Sequence, residues 1–332
     1  MLLSSLDAHG VPVDAPLTWP GARGMFDNAF DLNLERRLKY LGRLALTWRA
    51  RARLLRELDD LPLGEDLFRA QPRAFYPVMS HLIDRRMDAG ARLRTTLASL
   101  RTVCTSVGDE ANVRSLLTHG ITLLELTDRT RVVLSLNDVS FHEGLWQIGL
   151  VGADGLRLYS IGFGFTCPRT LLMGNVQGPS LKDEGLDRIR DATHAAHGMR
   201  PPHLLVHTLR VLAAHWGATR LQGVDPENHV KGRWNLRDSR LRFDYRAFWA
   251  EHEAVRDAGG NWSLPLDTAL RPLEEVPTKR RAMYRRRYAM LEALQLAVDA
   301  LADARHALPP TPVDTPELAA ANASTLEPVL VA

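Results

Sequence analysis

Between Gly120 and Gly178 the chain reads as five short extended segments in succession: ITLLELTD, RTRVVLSLN, LWQIGLV, LRLYSIGFGF and TLLMGNVQG. Each is rich in β-branched, leucine or aromatic side chains, and turn signals separate them. Gly152-Ala153-Asp154-Gly155 marks a hairpin loop. Parallel strands need a crossover of a dozen or more residues, so connections this short imply an antiparallel meander.

Helical periodicity surrounds this block. From Leu32 to about Arg101, LERRLKYLGRLALTWRARARLLREL sets apolar residues three and four apart with arginines on the other face. AFYPVMSHLIDRRMDAGARLRTTLASLRTV adds one or two helices, with Pro77 near the start of one. After the meander, EGLDRIRDATHAAHG ends on Gly198, a C′ glycine. Pro201 and Pro202 open HLLVHTLRVLAAHWG, where a missing amide hydrogen is harmless, and Gly217 closes it. TRLQGV is a sixth strand, DYRAFWAEHEAV a helix and NWSLPL a short strand. A last helix runs from about Thr278 to His306. The expected fold class is α+β: an N-terminal helical segment, then an antiparallel-rich sheet with packed helices. The expected layout is a poorly ordered arm over 1–30, a helical segment over 31–119, an α+β domain over 120–306 and a disordered tail over 307–332.

Composition narrows the class. A chain of 332 residues with 45% hydrophobic side chains can bury a sizeable core without staples. The net charge of +3 gives no global pull toward nucleic acid, and no recognition motif is present. Two cysteines, Cys104 and Cys167, suit a reducing compartment and are too few for a disulfide framework. The N-terminus has no basic region followed by an apolar stretch, and no window is apolar enough to span a bilayer. The expected location is cytoplasmic, with any attachment to the inner membrane peripheral.

The strongest local charge lies in Val276–Leu291, VPTKRRAMYRRRYAML, with six basic side chains and two tyrosines. Arg280, Tyr284, Arg287 and Leu291 share a face, as do Arg281, Arg285 and Tyr288, so the cations surround the helix. Arginine forks suit phosphates, and interleaved tyrosines suit a base stack or a headgroup interface. The alternative is internal pairing with acids such as Asp183, Glu184 or Glu274.

LYSIGFGF, GNVQGP, IRDATHAAHGMRPPHLL, DPENHV, DYRAFW and VPTKRRAMYRRRYAML together resemble the VirK/YbjX family of bacterial proteins, in the family's order from roughly Gly120 to Leu294. The resemblance implies a link to virulence, envelope stress and tolerance of antimicrobial peptides. It carries over no catalytic residues. The element order from Gly120 also resembles the N-acyltransferase (GNAT-like) fold related to the general-control acetyltransferases. In that fold a splayed strand binds the pantetheine arm and the next helix N-terminus holds the pyrophosphate. GNVQGPS and the helix from Ser180 would fill those roles, with strand Thr219–Val224 and the Asn228 loop as the other wall. The usual glycine-rich pyrophosphate loop of that fold is missing here.

These features nominate the candidates. Asn175 and Gln177 lie on one strand face before Gly178, at a helix start that favours anions; an ordinary strand end reads the same. Asn228 and His229 sit in DPENHVK, a loop after a strand, where turn formers also gather. His142 and Glu143 in FHEG are candidate bases for acyl or aminoacyl transfer, with Tyr159 or Tyr245 as proton donor; a solvated turn explains FHEG equally well. Arg280 and Arg285 are candidate contacts for a phosphate-bearing donor such as coenzyme A or an acyl-CoA. Asp191, His194 and His197 share a helical face without a metal-binding motif. The alternative to an enzyme is a membrane-peripheral or partner-binding protein that acts through the basic helix on anionic lipid or on another protein. Cys104 reads as a core residue, and Cys167 lacks any visible base.

Overall fold

A computed structural model describes residues 16–26, 34–61, 63–107, 109–178, 183–232, 243–267 and 269–303. Among the described residues six α-helices come first: α1 (Ala22–Met25), α2 (Leu34–Leu46), α3 (Trp48–Leu58), α4 (Gly64–Ala70), α5 (Ala89–Ser106) and α6 (Glu110–Thr118). The long periodic run from Leu34 breaks at Thr47 into α2 and α3. Pro77 lies inside a 3-10 turn, Pro72–Val78, rather than near an α-helix start. Asp88 and Asp109 cap α5 and α6 by accepting from Ala91 N and Asn112 N.

The meander is present: β1 (Ile121–Glu125), β2 (Arg131–Leu136), β3 (Trp146–Val151), β4 (Arg157–Cys167) and β5 (Thr170–Met173) pair antiparallel in sequence order. Gly152 N donates to Leu156 O and Gly155 takes φ +78, as the hairpin loop demands. Then come α7 (Asp183–Ala195), α8 (Pro201–His215), β6 (Arg220–Gly223), α9 (Tyr245–Glu251), β7 (Val255–Arg256), β8 (Trp262–Leu264) and α10 (Thr278–Asp303). The sheet order is β1-β2-β3-β4-β5-β6-β8-β7. Among these pairs, β5 with β6 alone is parallel, and the α7–α8 crossover supplies its connection. The stretch read as one helix from Asp244 to Val255 gives up its end to β7.

Neighbours on β4 point to opposite faces. Phe163 and Phe165 meet Trp216 after α8, whereas a Cβ on Gly164 would touch Ser99 and Thr95 of α5. Helices thus cover both sides of the sheet centre. α8 is apolar nearly all round, and Leu204, Leu205, Val206, Leu209 and Leu212 are fully buried. α10 buries Leu291, Leu294 and Val298.

Packing crosses the expected layout in two places. One hydrophobic core takes in residues from Leu54 to Leu301, so the helical segment and the sheet share it. Within the expected arm, Met25 is fully buried with Tyr40 and Met79, and Trp19 packs on Phe68. Aromatic and methionine side chains there find a receptive surface on helix and 3-10 turn residues that local composition does not reveal. The tail after residue 303 and the expected helix start at Ser180 lie outside the described residues.

Candidate functional site

After Met173 the β5 strand parts from its parallel neighbour. Val224 N still donates to Met173 O at 3.0 Å, and then β6 turns away into the loop 225–230. Residues 174–177 stay with β4: Gly174 N donates to Gly162 O at 2.7 Å, and Ser160 and Gln177 exchange both backbone bonds at 2.8 Å. The result is a fork whose inner edge is Val176. Its amide is not paired across the sheet. It donates to the Tyr245 hydroxyl at 3.1 Å. Tyr245 is the first residue of α9, whose N-cap Asp244 accepts from Ala247 N, so helix capping sets the ring in the fork.

Glu143 enters from the other side. It ends the 3-10 turn Phe141–Glu143 and is only 5% exposed. Its Oε2 accepts from Asn175 Nδ2 at 3.0 Å and faces Lys231 Nζ at 3.2 Å. Asn175 Oδ1 accepts from Gly162 N at 2.5 Å, so one amide side chain ties the carboxylate to the strand segment that carries Val176. His229 Nδ1 accepts from Lys231 N at 3.0 Å, which leaves the ring proton on Nε2. That nitrogen is 3.2 Å from Glu143 Oε1 but is not aligned for a full hydrogen bond. Two glycines permit the approach. A Cβ at Gly174 would lie 1.9 Å from Glu143 O, and one at Gly162 would lie 2.7 Å from Asn137 Nδ2.

Electrostatics fix the protonation states. Burial pushes the Glu143 carboxyl up, but the Lys231 ammonium and His229 outweigh it and hold the group down at about 2. Glu143 is therefore an anion at neutral pH and a weak proton acceptor. Burial, and then the Glu143 charge, push the Tyr245 phenol upward, so it keeps its proton.

A second polar cluster adjoins the first. Asp84, 5% exposed, binds Arg86 Nη2 at 2.5 Å and Asn261 Nδ2 at 3.2 Å. Asp225 is fully buried, and accepts from Trp262 Nε1 at 3.0 Å and from Glu227 N at 2.9 Å. Asn228 Nδ2 donates to Gly260 O at 3.0 Å and to Asn261 Oδ1 at 3.1 Å. The clusters are joined through Ile83: its amide donates to His142 O at 2.6 Å, and its carbonyl accepts from Val230 N at 2.9 Å. Ile83 holds φ +47, an unusual conformation for a β-branched residue.

The other candidates are distributed differently. His142 turns its ring toward the N-terminal helices: Nδ1 lies 2.8 Å from His81 O and the ring meets Tyr76 edge-on. Burial lowers its pKa. Tyr159 packs against Gly178 and lines a groove of about 290 Å³ with Arg200, His203, Phe248 and Glu251. Gln177 has an exposed side chain, whereas Asn175 is buried, so the two do not share one environment. Arg280 and Arg285 are exposed on α10, away from the fork cluster's hydrogen bonds. Arg287 donates to His197 O at 2.8 Å and Arg281 to Val276 O at 3.0 Å, so two of the six cations serve the domain itself through carbonyls. The side chains of Asp183 and Glu184 lie outside the described residues. His194 and His197 line a larger groove of about 610 Å³ with Arg190, Met283 and Arg286. Among the described residues no group of three His, Cys, Asp or Glu side chains could hold a metal. Cys104 is buried and its thiol is pushed up to about 12 by burial; Cys167 is exposed.

Sequence reasoning missed Lys231, Asp84, Asp225 and Asn261 as members of these clusters. Only their place next to Asn228 and His229, in DPENHVK, hinted at Lys231 and Asp225.

The family model described as "Protein of unknown function (DUF535)" matches residues 32–300. The chain belongs to this family, that of VirK and YbjX. A Haemophilus influenzae protein, described as uncharacterized, is 30% identical over 83% of this chain and 93% of its own length. Escherichia coli YbjX is 32% identical over 46% of this chain and 48% of its own. A Mannheimia haemolytica protein named "Membrane protein LapB" is 25% identical over 62% of this chain and 90% of its own. DUF535 therefore takes in the N-terminal helices from α2 as well as the sheet. Among the described residues, no helix is long and apolar enough to cross a membrane.

Proposed function

We propose that the chain is an acyl- or aminoacyl-transferase whose donor is a phosphate-bearing thioester of the coenzyme A type. One observation carries this reading: the amide of Val176, at the inner edge of a strand fork, is held only by the Tyr245 hydroxyl from α9. A donor carbonyl set on that amide would take the place of the Tyr245 oxygen and be polarised by it. An acceptor amine then bonds to the carbonyl carbon and loses a proton to solvent. The carbon–sulfur bond breaks, and Tyr245, which keeps its proton, stabilises the departing thiolate by a hydrogen bond.

The remaining candidates take supporting roles in this reading. Glu143, held ionised, is a poor general base; its work is to hold Asn175 and His229 so that Val176 keeps its place. His142 faces away from the fork and is not assigned the base's role. The groove beside Tyr159 and Arg200 suits the donor's far end, with Arg200 as the anion contact. Pro201 and Pro202 bring no amide hydrogens to the start of α8, so a backbone cradle for phosphate is lacking there.

The test is a thermal-shift series with coenzyme A, acetyl-CoA and long-chain acyl-CoA, since a ligand of the folded state alone raises the melting temperature. An acyl-dependent rise that falls in Arg200→Glu supports the reading. No rise at millimolar ligand rejects it.

A second reading has its own support. Lys279, Arg280, Arg285 and Arg286 point outward, with no acidic partner among the described residues. A protein that contacts anionic lipid or an acidic partner through this helix would present such a surface. Binding that falls steeply with salt and disappears in Arg280→Glu/Arg285→Glu/Arg286→Glu would favour it.

A further inference from the structure

The outward face of α2 is apolar. Leu34, Leu38 and Leu41 are 72%, 59% and 57% exposed, and Ala45 follows on the same line, at spacings of four, three and four. That spacing makes one stripe along a helix. Leu46, and Trp48 at the start of α3, extend the exposed apolar surface at the far end.

This stripe is not the product of a loosely placed helix. The opposite face of α2 is anchored: Tyr40 is buried and donates to Pro20 O at 2.6 Å, its ring meets Phe26 and Tyr76, and Arg43 bonds the Tyr76 hydroxyl. Thr47 is buried where α2 ends. An anchored helix that points three leucines at solvent needs a cover, because scattered apolar residues are ordinary and an aligned row is not.

Charge selects the cover. Leu34–Leu58 carries eight arginines and lysines against two glutamates, Glu35 and Glu57, a surplus of six in a chain whose net charge is +3. Glu35 is engaged by Lys39 at 2.7 Å, and Glu57 by Arg53 at 3.0 Å and by Arg101. A second copy of the same face would bring two such surpluses together. An anionic bilayer meets both demands: acyl chains take the leucines, headgroups take the flanking cations, and an indole sits well at the boundary.

We propose that α2 and the start of α3 form an in-plane docking face for an anionic phospholipid bilayer, with Leu34, Leu38 and Leu41 as the inserted residues and Trp48 at the headgroup level. This face is separate from the basic surface of α10 and does not depend on the transferase reading.

Co-sedimentation of the full chain with phosphatidylcholine vesicles, with and without phosphatidylglycerol, tests it. The chain is expected to bind only when phosphatidylglycerol is present. Leu38→Asp/Leu41→Asp should weaken that binding on the order of tenfold or more. Both positions are exposed, so the melting temperature should hold, and it is measured alongside. Quenching by brominated lipid should be smaller for Trp48→Phe than for the parent chain. Binding that survives the double substitution but is lost in Arg280→Glu/Arg285→Glu/Arg286→Glu assigns the membrane contact to α10 and overturns the proposal. So does the absence of vesicle binding, whether the chain is monomeric or forms a dimer that the leucine substitutions dissolve.

Discussion

The two buried polar clusters beside the β5–β6 fork are built from the same materials and end differently. Around Asp84 and Asp225, the principal polar atoms bind others of the same group: Asn261 bridges Asp84 and Asn228, and Trp262 and the Glu227 amide close on Asp225. Both clusters reach a half-exposed cation, Arg86 on Asp84 and Lys231 on Glu143, but around Glu143 a further bond leads through Asn175 to the strand that bears Val176. A network that closes on itself is a clamp for the loops 225–230 and 257–261. A network that leads to a singly held amide at a strand fork is a place where a ligand can be received.

Substitutions can break or sharpen this contrast. The largest effect belongs to Gly174→Ala, because a Cβ there would stand 1.9 Å from the Glu143 carbonyl oxygen and backbone must move. We expect a loss of about 3 kcal/mol or more in urea unfolding, with the fork cluster disrupted. Asp225→Ala comes next. It leaves the half-buried Trp262 indole N–H and the Glu227 amide without their acceptor and should cost about 2 kcal/mol in the same assay, with ligand response retained in the folded fraction. Were its loss to abolish ligand response in fully folded protein, the clamp and the receiving site would not be separable.

Acid separates the clusters less sharply, because Asp84 is also held below its ordinary range by Arg86 and Asn261 against the opposing effect of burial. Both groups are depressed in the folded state. Each contributes stability above its unfolded pKa, near 4, and that stability is lost as pH falls toward the folded value, about 2 for Glu143. Stability should begin to fall below about pH 6.5, where His142, His207 and His252, all held low by burial, must charge on unfolding, and the share of Glu143 and Asp84 should be lost below roughly pH 4. Glu143→Gln should flatten some of that fall, as read from unfolding midpoints across pH. The smallest stability effect is expected for Tyr245→Phe, about 1 kcal/mol for one lost hydrogen bond. If the fork receives a thioester, the same substitution lowers transfer far more than it lowers stability.

Much of the fold was legible because its signals are local. Gly152–Gly155, Gly198, Pro201 and Gly217 each mark an end by backbone chemistry, and the meander follows from short connections. The parallel register of β5 on β6 was not legible, since it depends on a crossover of two helices. The candidate site was half legible. Glu143, Asn175, His229 and Tyr245 drew attention one by one, yet Asn175 meets Glu143 across 32 positions and Tyr245 meets Val176 across 69. Only tertiary packing brings such residues together, and periodicity carries no trace of it. The basic helix could be read from sequence either way, as an anion contact or as internal pairing, and which arginines do which depends on packing: Arg281 and Arg287 are engaged with carbonyls while Arg280 and Arg285 are exposed.

The most direct measurement is isothermal titration of acetyl-CoA into the parent chain, Tyr245→Phe and Asp225→Asn, each checked for folding by its melting temperature. The account predicts saturable binding to the parent, altered binding in Tyr245→Phe and near-parental binding in folded Asp225→Asn. Absence of binding to the parent chain at millimolar acetyl-CoA, or identical binding by the parent and Tyr245→Phe, would contradict the claim that the Val176 fork receives an acyl donor.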